Sequence, residues 1–130
     1  PYIEICEREN RSIKTKKSAR VIPLVGEALD AMELLKDLRI SQKYCFPRYT
    51  KNDKTNADLA AAAIKKRMSF GSHSYRHLLT TRMHEHQIPE GTQRAILGHT
   101  SAGSGAFDGY GTREMLVAKQ RALTQVMSEL

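Results

Sequence analysis

The residues suited to handling an anion fall into a few short boxes in this chain. His73-Ser74-Tyr75-Arg76-His77 places an arginine three residues after a histidine, and Ile96-Leu97-Gly98-His99-Thr100 places another histidine just past a Leu-Gly pair. A guanidinium stays protonated at any working pH, and its planar fork can hold two oxygens of one phosphoryl group. Arg76 is the candidate for that task. Near the start of a helix, His73 and Arg76 project from one face, so both can reach the same phosphate, with His73 as hydrogen-bond donor or proton acceptor. A His-x-x-Arg alone is weak, and Leu97-Gly98 alone would be a plain helix stop; the ordered set carries the weight.

These boxes need elements to hold them. Residues 2–7 are rich in β-branched and aromatic types, Glu9-Asn10 reads as a turn, and residues 11–14 and 20–23 flank the polar Thr15-Lys16-Lys17-Ser18. A small antiparallel sheet with Lys14 near a hairpin tip is expected over about 1–24, and a helical part over about 26–130. From Gly26, Ala28, Leu29, Met32, Leu35 and Leu38 repeat at helical spacing to about Arg39, a stripe that needs a partner. Residues 41–56 read as a loop pinned by Tyr44, Phe46 and Tyr49, with basic groups that could face a nucleic acid.

Asn56 is the expected cap of a second helix whose Leu59, Ala60, Ala63, Ile64 and Met68 lie on one side and whose Lys65, Lys66 and Arg67 line the other. Ser72 or Ser74 would cap a third helix through about Gln87, with Tyr75, Leu78, Leu79 and Met83 as its inner stripe. Pro89 and Gly98 bracket a short fourth helix. Residues 101–111 hold four glycines and no helical pattern, so a mobile loop is expected. Thr112 then caps a last helix in which Leu116, Leu123, Val126 and Leu130 share a face.

Composition bounds the rest. With 130 residues, 40% of them hydrophobic and 27% charged, one soluble globular domain is expected. A formal charge of +7 favours an anionic partner. No run approaches the roughly twenty apolar residues of a membrane span, and the N-terminus lacks the order of a signal peptide, so a cytoplasmic protein is expected. Pro1 opens directly onto strand-like sequence, which reads as a piece of a longer chain. Cys6 and Cys45 form no CxxC and are expected to be buried thiols. His73 and His77 have the spacing of a zinc pair, but no third ligand stands at a matching distance, and His84 and His86 point to different sides of a helix; no metal and no cofactor is expected.

Taken together, the boxes resemble those of the tyrosine recombinases, the phage integrase family, in its C-terminal catalytic domain. His73-x-x-Arg76-His77 and Leu97-Gly98-His99 look like two of its signatures, Tyr110-Gly111 stands where its nucleophile stands, and Lys14-Thr15 followed by Arg20-Val21-Ile22-Pro23-Leu24 looks like the hairpin carrying its catalytic lysine. The resemblance spans nearly the whole chain. It implies an α+β fold, mainly helical with a small N-terminal antiparallel sheet, like that of the DNA breaking-rejoining enzymes.

It also implies site-specific recombination, by cleavage and rejoining of double-stranded DNA through a 3′-phosphotyrosine, in a bacterial or phage-encoded setting with self-association into a synaptic tetramer. Tyr110 is then the nucleophile, its phenolate favoured by Arg76, His73 and His99, and Lys14 the general acid, with Lys16 and Lys17 as neighbouring alternatives. Lys16, Lys17, Arg20, Lys65, Lys66 and Arg67 would bind DNA.

Two features depart from the family. Its second arginine lies on a helix ahead of the hairpin, whereas this sequence opens on the hairpin, so the chain alone is expected to be crippled. His99 and Tyr110 are eleven residues apart, about two more than is common. The competing readings are a DNA-binding module without activity, derived from an integrase, and a structural domain whose basic surface is incidental.

Overall fold

The computed structural model describes residues 1–9, 12–13, 18–38, 43–99 and 113–128. Lys14, Lys16, Lys17, residues 101–111 with Tyr110, and Thr112 and Leu130 lie outside these.

Strands β1 (Tyr2–Ile5) and β2 (Arg20–Pro23) pair antiparallel, with Tyr2 opposite Pro23 and Ile5 opposite Arg20. Helix α1 (Gly26–Leu38) follows, then a 3₁₀ turn at Pro47–Tyr49 and a short ladder of β3 (Thr50–Lys51) with β4 (Lys54–Thr55). Helices α2 (Ala57–Met68), α3 (Ser72–Glu85), α4 (Glu90–Leu97) and α5 (Arg113–Met127) complete an α+β fold.

The expected loop at 41–56 therefore contains a hairpin. Asn52 and Asp53 both take positive φ, 51° and 59°, which is the backbone of the two-residue turn that matches strand twist, and these residue types tolerate it. The Asp53 carboxylate closes the segment by accepting from Tyr44 Oη at 2.8 Å and Lys43 Nζ at 3.1 Å.

The core lies at the C-terminal side. Met83 of α3, Ile88, Ile96 and Leu97 of α4, and Ala122, Leu123 and Val126 of α5 form one buried cluster, with Ile22, Val25 and Leu79 packed against it. Burying the Met, Ile, Leu and Val side chains among them stabilises by about 1.5–3 kcal/mol each. Strand β2 packs on both α4 and α5, so the lysine hairpin's second strand is anchored in this core.

Several expected stripes are not covered. In α2, Leu59, Ile64 and Met68 are exposed, and in α3 Tyr75 and Leu78 are exposed, while Met83 is fully buried. In α1, Ala28 and Leu38 are exposed and Leu29, Met32 and Leu35 half-buried. Tyr75 is therefore no core residue; its ring lies tilted on Phe70 at 5.2 Å. Helical periodicity marks which residues share a face but not whether a neighbour covers it. Cys45 is likewise exposed and Cys6 half-buried, so the thiols do not follow their type's preference for burial.

The helix ends follow local chemistry. Asn56 caps α2 as expected, its Oδ1 accepting from Leu59 N at 3.0 Å. At α3 the expected serine cap gives way to Gly71, whose carbonyl accepts from Ser74 N at 3.0 Å with no side-chain cap.

Candidate active site

The end of α4 is where the two histidine boxes meet. Gly98 takes a left-handed φ of 72°, its N–H returns to Arg94 O at 2.8 Å, and His99 N donates to the same carbonyl at 3.2 Å. This is a helix stop of Schellman type, and glycine adopts it without the penalty a Cβ would bring. The turn fixes where His99 leaves the helix.

The stop leaves the last carbonyls of α4 without helical partners. Arg20 Nε donates to Ile96 O at 3.0 Å and Arg76 Nη2 donates to Leu97 O at 2.6 Å. Two cations thus sit at a helix C-terminus, where the macrodipole is negative. Arg76 Nη2 also lies 2.7 Å from His99 Nε2. A guanidinium can only donate, so His99 Nε2 accepts and the ring proton is on Nδ1. Two of the five guanidinium N–H groups of Arg76 are used in this way, and Nε and Nη1 have no protein partner among the described residues.

Arg76 and His99 come together as the boxes require. His73 stands on the first turn of the same helix as Arg76, exposed, with its ring edge-on to His77 at 4.6 Å. His77 is exposed and has that ring contact. Lys65, Lys66 and Arg67 are exposed on the last turn of α2. Arg20 is half-buried, with its Nε and Nη1 donating to Ile96 O and Ser18 O.

One residue escaped the sequence reading. Lys119 of α5 is fully buried, and its Nζ donates to Val21 O of β2 at 2.8 Å. The signal was present, because Lys119 falls in phase with Leu116, Leu123 and Val126, but a lysine in an apolar stripe reads as an edge residue whose stem alone is buried. With Arg82 Nη1 on Val126 O at 2.8 Å, it ties α5 to β2 and α3.

Arg20, Arg76 and Lys119 form a run of like charges without an ion pair among the described residues. Burial lowers the Arg20 pKa from the usual arginine value, and Arg76 adds to the shift; burial, then Arg20, does the same to Lys119. Unfolded chains bind more protons than folded ones just below the usual lysine pKa of about 10.4, so stability should rise with pH through that window. Lys119→Met should lose this rise, as read from denaturant midpoints as the pH approaches the usual lysine pKa of about 10.4 from below. Parallel curves for the two proteins would contradict a buried ammonium.

The geometry thus joins an arginine and a histidine at a helix stop in a mainly helical α+β domain. The sequence profile of the phage integrase family matches residues 2–105. The chain belongs to this family, the tyrosine recombinases, whose work is DNA recombination. The matched stretch includes Lys14, Arg20, Arg76 and His99 and ends before Tyr110. Comparison with curated proteins and with solved structures gave no match. Among the described residues, no helix is long and apolar enough to cross a membrane.

Proposed function

We propose that the chain is part of the catalytic domain of a site-specific recombinase, acting in integration or excision of mobile DNA and self-associating on its substrate. The observation that carries this reading is the cationic end of α4, where Arg76 and His99 are joined and no carboxylate among the described residues neutralises Arg76, Arg20 or Lys119. A half-buried arginine without a counter-charge is costly, and a phosphate arriving at Arg76 relieves that cost.

In this reading Arg76 takes the non-bridging oxygens, while His73 and His99 line the same phosphate. Tyr110 Oη attacks phosphorus, its proton passing to His73, and the bond to the 5′ oxygen breaks as Lys14 supplies that oxygen with a proton. A 3′-phosphotyrosine and a free 5′ hydroxyl result. Because the phosphotyrosine keeps the energy of the broken linkage, a 5′ hydroxyl of another strand reverses the step without ATP.

Lys16, Lys17, Lys65, Lys66 and Arg67 hold the DNA backbone. Nonspecific duplex affinity should fall with salt by a log-log slope of about −0.9 for each phosphate neutralised. Replacing Lys65, Lys66 and Arg67 with glutamine should flatten the slope, as should replacing Lys16 and Lys17, measured by fluorescence anisotropy across salt concentrations. A slope untouched by both sets would place the interface elsewhere. Binding with a normal slope but without any covalent product in an extended chain would favour the inactive DNA-binding module.

A further inference from the structure

We propose that Arg20 is a positioning residue for the Arg76–His99 pair, acting through the turn that ends α4; the inference rests on the recombinase reading of that pair. Its guanidinium lies directly beneath Gly98. A Cβ built on Gly98 would stand 2.5 Å from Arg20 Nη1 and 2.9 Å from Cζ. Glycine suits this position by its φ of 72°, and a side chain there would push the Arg20 guanidinium out of its place.

The bonds show what that proximity does. Arg20 takes Ile96 O through Nε, and Arg76 takes Leu97 O, the very next carbonyl, through Nη2. The same Nη2 reaches His99 Nε2. Fixing Ile96 O sets the plane of the peptide before Leu97, which sets the direction of Leu97 O and so the direction of Arg76. Strand β2 delivers Arg20 to this place, and Lys119 holds the carbonyl of its neighbour Val21. A second bond, Nη1 to Ser18 O at 2.9 Å, fastens the guanidinium to the described end of the lysine hairpin. One side chain thus connects the hairpin, the helix stop and the arginine-histidine pair.

This assignment differs from a DNA contact for Arg20. The Nε and Nη1 of Arg20 are engaged instead by the carbonyls of Ile96 and Ser18.

The test reads the His99 ring by nitrogen-15 NMR in the 130-residue chain, without DNA, using Arg20→Lys and Arg20→Gln. A charge-assisted bond from Arg76 favours the Nδ1–H tautomer of His99 by about tenfold or more. Arg20→Gln should reduce this preference to a mixture while the amide spectrum stays that of a folded chain. Arg20→Lys, which keeps the charge at the helix end and can restore one bond, should recover part of it. The salt slope for duplex DNA should be unchanged in both.

An unchanged His99 tautomer in folded Arg20→Gln and Arg20→Lys would overturn the proposal. A slope reduced by about one would overturn it in favour of a phosphate contact. Since the ring is read without substrate, failure of the chain to form a Tyr110 adduct bears on the recombinase reading and leaves this result standing.

Discussion

A nicked suicide substrate should become attached through its 3′ phosphate to Tyr110 in a chain extended upstream to carry the family's further arginine, and Tyr110→Phe should abolish the adduct. Loss of a short 5′ fragment removes the hydroxyl that would reverse the reaction, so the covalent species accumulates. Phenylalanine keeps the ring and removes only the attacking oxygen, so DNA affinity should stay close to that of the parent. Mass spectrometry of the protease-digested adduct decides the residue. Attachment at Tyr75, which lies exposed against Phe70, or an adduct surviving Tyr110→Phe, would refute the nucleophile assignment.

The second large effect is expected at Arg76. Arg76→Ala should slow single-turnover adduct formation by about 10²–10³, the scale of losing one preorganised donor to a developing oxyanion. Arg76→Lys should remain well below the parent rate, because an ammonium supplies charge without a planar fork. Both replacements also alter the two partners the guanidinium now has, Leu97 O and His99 Nε2. The rate should therefore be read beside the His99 tautomer and the thermal midpoint. A rate within a few-fold of the parent, in a folded Arg76→Ala protein, would remove Arg76 from the site.

Much of the site was legible because its parts are local. The Leu-Gly-His order is a helix stop followed by a histidine, and glycine's tolerance of positive φ is a property of one residue. Asn56 as a cap and the bounds of α4 are local in the same sense. The hairpin at Asn52-Asp53 is also written locally, but strands of two residues each are too short to show a period in the sequence. The apolar stripes of α2 and α3 misled for a different reason. Periodicity states that Leu59, Ile64, Tyr75 and Leu78 share helix faces, and burial depends on what else is present to cover them.

The sequence by itself determined the family, the α+β class and the order of the helices, since these rest on residue types, on spacing and on short-range hydrogen bonding. Tertiary structure decided which donors meet which acceptors. Arg76 reaches His99 across 23 residues, Arg20 reaches Ile96 O across 76, and Lys119 reaches Val21 O across 98. No local rule encodes such pairings. They exist because the packing of β2, α3, α4 and α5 around one core brings the carbonyls at the end of a helix and the edge of a strand within reach of cations that the sequence shows only as charge.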